Sequence, residues 1–143
     1  MFFGNYPGTL DEKGRVHIPS IFAKQVKGDF MVVLQWGEAL AAFPREQFER
    51  LANRLEEEAK ESKDAKKLER ARNIFQYSFT ATFKNGKLLV PQELRSVINH
   101  DKKLKIIGIK DKIEIWSEAD WLAQQKPVDG KTMRDDLDGF GLL

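Results

Sequence analysis

The sequence predicts an α+β protein built from two copies of one ββαββα unit. Three observations predict it: a self-match at a spacing of 72 residues, a glycine-bearing polar turn in each copy, and a proline closing the strand after each turn. Asp11 to Val26 reads DEKGRVHIPSIFAKQV, and Phe83 to Ile98 reads FKNGKLLVPQELRSVI. Aligned without gaps, Asp11 falls on Phe83, Gly14 on Gly86, Arg15 on Lys87, Ile18 on Val90, Pro19 on Pro91, Phe22 on Leu94 and Val26 on Ile98. After one extra residue the match resumes, with Val32 to Phe48 beside Lys105 to Trp121, Phe43 against Trp116 and Phe48 against Trp121. Two matches in the same order are the signature of an internal repeat.

Each element follows from local chemistry. Asp11-Glu12-Lys13-Gly14 and Lys84-Asn85-Gly86 each separate short apolar runs, which is a hairpin signal, and glycine accepts the positive φ that such turns require. The strands Arg15 to Ile18 and Lys87 to Val90 end at Pro19 and Pro91, which suit a helix start because their missing N–H has no partner to lose. Short helices to about Val26 and Ile98 follow. Two further strands come next in each copy: Phe30 to Leu34 with Ala39 to Phe43, and Leu104 to Ile109 with Lys112 to Trp116. Gly37 and Lys110-Asp111 supply their turns. Pro44 and Ser117 then open helices, with Ser117 as N-cap over Asp120.

Between the copies the spacing of Phe48, Leu51, Leu55 and Ala59 predicts an amphipathic helix, broken near Ser62 to Asp64 and followed by a second helix to about Phe75. Glu46–Arg50 and Glu56–Lys60 have the favourable i,i+4 order for surface ion pairs. The tail beyond Lys126 reads as flexible, with Met133 to Leu137 able to form a turn of helix. The resulting partition is a first unit at 5–47, a helical connector at 48–76, a second unit at 77–120 and a tail at 121–143.

Composition excludes several classes. Apolar runs such as Phe30 to Leu34 and Leu88 to Val90 fall far short of a bilayer span, and MFFGNYPG lacks the basic and apolar regions of a secretory signal. There is no cysteine, hence no disulfide or thiolate chemistry, and a cytoplasmic location is the simplest expectation. Net charge is only +2, yet Lys84 to Lys112 holds eight basic residues against three acidic ones, which favours an anionic partner. The two histidines, His17 and His100, sit in no metal-spaced or triad-like cluster, and no phosphate-cradling glycine loop occurs, so neither catalysis nor a cofactor is expected. His17 alternates with Val16 and Ile18 and is expected to face solvent.

Tyr6, Leu10, Asp11, Gly14, Arg15, Ile18 and Pro19 together resemble the opening motif of the MraZ family, as do the chain length, the duplication and the helical connector. The resemblance covers residues 1 to 122. It implies two domains of the AbrB/SpoVT type whose swapped hairpins interlock, in the double-psi manner, into a pseudo-dimeric β-barrel with flanking helices. It further implies a transcriptional repressor, with no membrane or small-molecule partner, that binds double-stranded DNA at short direct repeats in the promoter of the division and cell-wall gene cluster. Such proteins work at the nucleoid as homo-oligomeric rings. One departure stands out: where the family carries Asp and Arg in both halves, the second half here has Phe83 and Lys87.

That resemblance places recognition on the first hairpin. Lys13 and Arg15 present two cations on a two-stranded element slim enough for the major groove, and a guanidinium can grip phosphate or guanine in two places. Asp11 either orients that guanidinium or simply caps the turn with Gly14. Lys84 and Lys87, around Gly86, offer point charges without the planar fork. The rivals are an oligomeric scaffold of the same fold without DNA recognition, for which Trp36, Trp116 and Trp121 are candidate contact residues, and a single-copy antitoxin, against which the duplication argues. Trp116 and Trp121 suit core packing better.

Overall fold

A computed structural model describes residues 1–98 and 102–141; His100 and Asp101 lie outside the described residues. Its chain order is β1 (Phe2–Thr9), β2 (Arg15–His17), α1 (Ser20–Ala23), β3 (Phe30–Trp36), β4 (Ala39–Pro44), α2 (Arg45–Glu61), α3 (Ala65–Gln76), β5 (Ser78–Lys84), β6 (Lys87–Leu89), a 3-10 helix (Gln92–Ile98), β7 (Lys103–Lys110), β8 (Lys112–Ser117), α4 (Glu118–Gln124) and α5 (Gly130–Gly139). The strands form one antiparallel sheet in the order β1-β7-β8-β4-β3-β5-β6-β2, and a bridge from Leu10 to Val16 brings its two edges together into a nearly closed barrel.

The two copies interlock. β1 of the first pairs along β7 of the second, and β5 of the second pairs along β3 of the first. Neither copy could bury its apolar face alone. Together they enclose one core in which Val16, Met31, Val33, Leu40, Leu88, Leu104, Ile106, Ile113 and Ile115 are fully buried. Alternation along β8 puts Ile113, Ile115 and Ser117 inside and Lys112, Glu114 and Trp116 outside, as period-two patterning requires.

Pairing registers expose a pseudo-two-fold axis. Val16 faces Leu88 and Ala41 faces Glu114, and each flanking pair maps onto its mirror when the copies exchange. The same exchange relates two backbone bonds, Ile18 N–H to the Gly86 carbonyl and Val90 N–H to the Gly14 carbonyl, both 2.9 Å. It also relates Phe43–Phe48 to Trp116–Trp121, edge-on aromatic pairs at 5.8 and 5.6 Å that staple strand to helix in each copy.

The structure corrects the gapless alignment at one point. Leu10 N–H donates to the Lys102 carbonyl and Phe83 N–H to the Asp29 carbonyl, so Phe83 occupies the place of Leu10, and both side chains are buried. The position of Asp11, opposite Arg15, is held in the second hairpin by Lys84, opposite Lys87. The copies are therefore offset by 73 residues before the turn and by 72 immediately after it, because the first loop is one residue longer.

Smaller corrections concern side chains. In the first turn of α2 the pair is Arg45–Glu49 at 2.9 Å rather than Glu46–Arg50, and Arg45 also lies over the Phe30 ring at 5.5 Å. Glu56–Lys60 pairs as expected, at 3.0 Å. Trp116 and Trp121 are half-buried on the barrel's outer surface instead of in its core, because the buried phase of β8 belongs to the isoleucines. Ser117 caps α4 by accepting the Asp120 N–H, and the connector breaks at 62–64. α2 and α3 lie on the outside of the barrel, where Phe48, Leu51 and Ile74 cover Leu34, Ala41 and Phe43. The helix after Pro19 is a single turn, its partner after Pro91 is 3-10, and the tail holds the ten-residue helix α5.

Candidate nucleic-acid interface

The short β2–β6 pair is the centre of the candidate site. Val16 and Leu88 point inward and are fully buried, which turns their neighbours Arg15, His17, Lys87 and Leu89 to the outer face. Arg15 lies opposite Leu89 and His17 opposite Lys87. Arg15 and Lys87 are thus diagonal neighbours on one face, about 7–8 Å apart by sheet geometry. The two cations that the repeat matched in sequence meet across the pseudo-two-fold axis.

The first turn is built around one carboxylate. The Asp11 N–H donates to the Arg15 carbonyl at 2.9 Å, and the Gly14 N–H donates to the Asp11 carbonyl at 3.1 Å. Gly14 has a φ of 82°, the left-handed conformation that ends a three-residue hairpin loop. Asp11 Oδ1 accepts the N–H groups of Lys13 at 3.0 Å and Arg15 at 2.8 Å, while Oδ2 accepts Arg15 Nε at 2.7 Å. Both roles weighed for Asp11 are therefore filled by the same side chain, one oxygen for each. The Arg15 N–H first, and then its guanidinium, hold the Asp11 carboxyl below the usual carboxylate range. With Nε engaged, the two terminal nitrogens of a 37 % exposed Arg15 side chain remain to meet an outside acceptor pair.

A residue of the second copy completes this turn. Arg95 donates from Nε to the Val90 carbonyl at 3.1 Å and reaches from Nη2 to the Lys13 carbonyl at 3.4 Å. Its guanidinium covers Gly14 so closely that a Cβ there would lie 2.5 Å from Cζ. Sequence reasoning did not assign Arg95 to the site. The signal was its place beside Leu94, but its target lies 82 residues away and only the interlocked fold brings the two together.

The second turn is simpler. Asn85 and Gly86 have φ of 54° and 73°, a two-residue turn of the kind that matches strand twist, with Lys84 directly opposite Lys87. A lysine stands where the first turn has its carboxylate. Lys13 and Lys84 are exposed at the two turns, flanking Arg15 and half-buried Lys87. His17 is exposed, as its alternation indicated, and among the described residues no cluster of His, Cys, Asp and Glu could hold a metal ion. No helix among the described residues is long and apolar enough to cross a membrane.

Comparison with known proteins places this arrangement. The family model described as MraZ protein, antitoxin-like, matches residues 1–71 and 84–135. A protein of Leuconostoc mesenteroides named "Transcriptional regulator MraZ" is 35% identical over 125 residues, covering 86% of this chain and 85% of its own. Proteins of the same name from Finegoldia magna and Caldicellulosiruptor saccharolyticus are 31% identical over 100% of this chain and 99% of the relative, and 32% identical over 85% and 84% respectively. With the family model and the relatives each covering most of the chain, this protein belongs to the MraZ family.

Proposed function

We propose that this chain is a sequence-specific DNA-binding transcriptional repressor that acts at the nucleoid. It reads short direct repeats in the promoter of the division and cell-wall gene cluster through arginine-bearing hairpin loops displayed on a homo-oligomeric ring. The observation that carries the reading is the Asp11–Arg15 clamp, a guanidinium fixed at its inner nitrogen and open at its outer edge on a two-stranded element. A β-ribbon of this width fits the major groove, and a bidentate arginine there discriminates guanine by about 1–3 kcal/mol.

Lys13, Lys84 and Lys87 surround Arg15 as phosphate contacts, which position the hairpin without reading sequence. Asp11, Gly14 and Gly86 shape the two turns and touch no DNA. One subunit with a net charge of +2 binds DNA weakly, and affinity arises when linked hairpins meet successive repeats at high effective concentration.

The test is a gel-shift titration on the fragment upstream of the protein's own gene, across a range of salt. Arg15→Ala is expected to keep fold and oligomer and to lose repeat-specific binding. Unchanged affinity overturns the assignment. An oligomeric scaffold without DNA recognition, favoured by the lysine in the carboxylate position of the second hairpin, predicts no shift at any salt concentration.

A further inference from the structure

Two exposed apolar surfaces of this chain match each other. A groove of about 550 Å3 runs along α2 and α3, floored by Ala59 and Ala71 and walled by exposed Leu68 and Phe75. Glu56 borders it on α2 and Arg72 on α3. Elsewhere, α5 and its C-cap carry Met133, Leu137 and Phe140 at i, i+4 and i+7 spacing, all exposed, and no residue of α5 is buried. A ten-residue helix is marginal in water by itself, even with Asp129 accepting the Thr132 N–H at its start, and needs an apolar surface to hold it.

Charge complements shape. On α5, Asp136 borders the apolar stripe on one side and Arg134 on the other, as 3.6-residue periodicity dictates. Seated in the groove, Asp136 meets Arg72, while Glu56 keeps its partner Lys60 at 3.0 Å. At the groove itself Lys60 and Arg72 stand against Glu56, whereas α5 with its cap has Asp129, Asp135, Asp136 and Asp138 against Lys131 and Arg134.

We infer that α5 of one copy of this chain docks in the α2–α3 groove of a second copy. Among the described residues of one chain, both surfaces are left exposed. A groove and its complement at different places on the molecule make a head-to-tail contact, which closes into a ring when its rotation permits. The contact does not depend on DNA; only its closure into a ring rests on the proposed function.

The absence of cysteine makes the test direct. Leu68→Cys and Leu137→Cys are placed in separate full-length chains, one tagged, then mixed and treated with a short bismaleimide. A cross-linked product containing both chains is expected. Arg72→Asp or Asp136→Arg alone should lower its yield several-fold, and the two reversals combined should restore it. Absence of the mixed product overturns the docking, as does a cross-link within single chains when the double-cysteine variant is diluted in excess unmodified protein. Light scattering on the unmodified protein separates the readings. An oligomer without the cross-link overturns this contact alone, and a monomer overturns both the contact and the ring.

Discussion

The two hairpins beside the pseudo-two-fold axis share a glycine, a following cation and a buried aliphatic residue, and differ by one residue of loop. What each turn can do is set by the residue before the loop. In the first hairpin Asp11 stands opposite Arg15, so one carboxylate both closes the turn and holds the guanidinium. In the second, the two-residue turn is made by Asn85 and Gly86 without side-chain help, and the place of the carboxylate is taken by Lys84. The first hairpin is an oriented, directional donor; the second is a pair of mobile point charges. Equivalent backbone frames can thus carry recognition on one side and charge neutralisation on the other.

The largest expected difference is in DNA binding. Arg15→Ala should cost about 1–3 kcal/mol for each hairpin engaged on a cognate repeat, with little effect on nonspecific DNA. Lys87→Ala should weaken all sequences alike and reduce the salt slope by about 1. Titrations on cognate and scrambled fragments at several salt concentrations measure both. Equal behaviour of the two variants would erase the distinction between the hairpins.

Next in size is a test of the turns themselves. Gly86 has open space around its missing Cβ, so Gly86→Ala carries only the cost of a left-handed alanine, about 1–2 kcal/mol. Gly14→Ala carries that same cost and also displaces the Arg95 guanidinium. Denaturant melts should therefore show the larger loss of stability for Gly14→Ala, and DNA affinity should fall more for it than for Gly86→Ala. Arg95→Ala should reproduce that affinity loss, by a smaller factor, while leaving the backbone unstrained. If Arg95→Ala binds DNA as the unmodified protein does, its contact with the Lys13 carbonyl has no role in presenting the loop.

What was legible in the sequence follows from how local each determinant is. Gly14, Gly86, Pro19 and Pro91 dictate backbone conformation by themselves, so turns and strand ends were readable to within a few residues. Alternation around His17 correctly turned it outward. Asp11 and Arg15 are close in sequence and their pairing was foreseeable. The offset before the turn was not: glycine and the residues after it dominate a gapless match, and only the shared bonds of Leu10 and Phe83 reveal the extra loop residue. Arg95 was not assigned to the site because the carbonyl it reaches, that of Lys13, is in the other copy. Arg45 pairs with Glu49 while lying over the Phe30 ring, a contact with a different element that i,i+4 spacing alone does not reveal.

The smallest effect, and the most specific to the clamp, is the titration of Asp11. Its carboxyl is held below the ordinary value of 3.8 chiefly by the Arg15 backbone N–H, against an opposing desolvation that ranks next, with the guanidinium and then the Lys13 N–H adding to the lowering. A carboxylate whose folded value is depressed stabilises the fold at pH above its unfolded value, and that contribution is lost as pH falls through the folded value. The first hairpin should therefore loosen only below about pH 3.8, well after neutral-pH binding is established. Removing the guanidinium in Arg15→Ala leaves the backbone N–H in place, so the Asp11 titration should move up only part of the way. Carboxyl chemical shifts followed by NMR in the two proteins measure this directly. A full return to the ordinary value would mean that the guanidinium, not the turn, organises Asp11. The loop would then depend on its arginine for shape as well as for contact, and the loss of DNA binding in Arg15→Ala would reflect a collapsed turn rather than a missing donor.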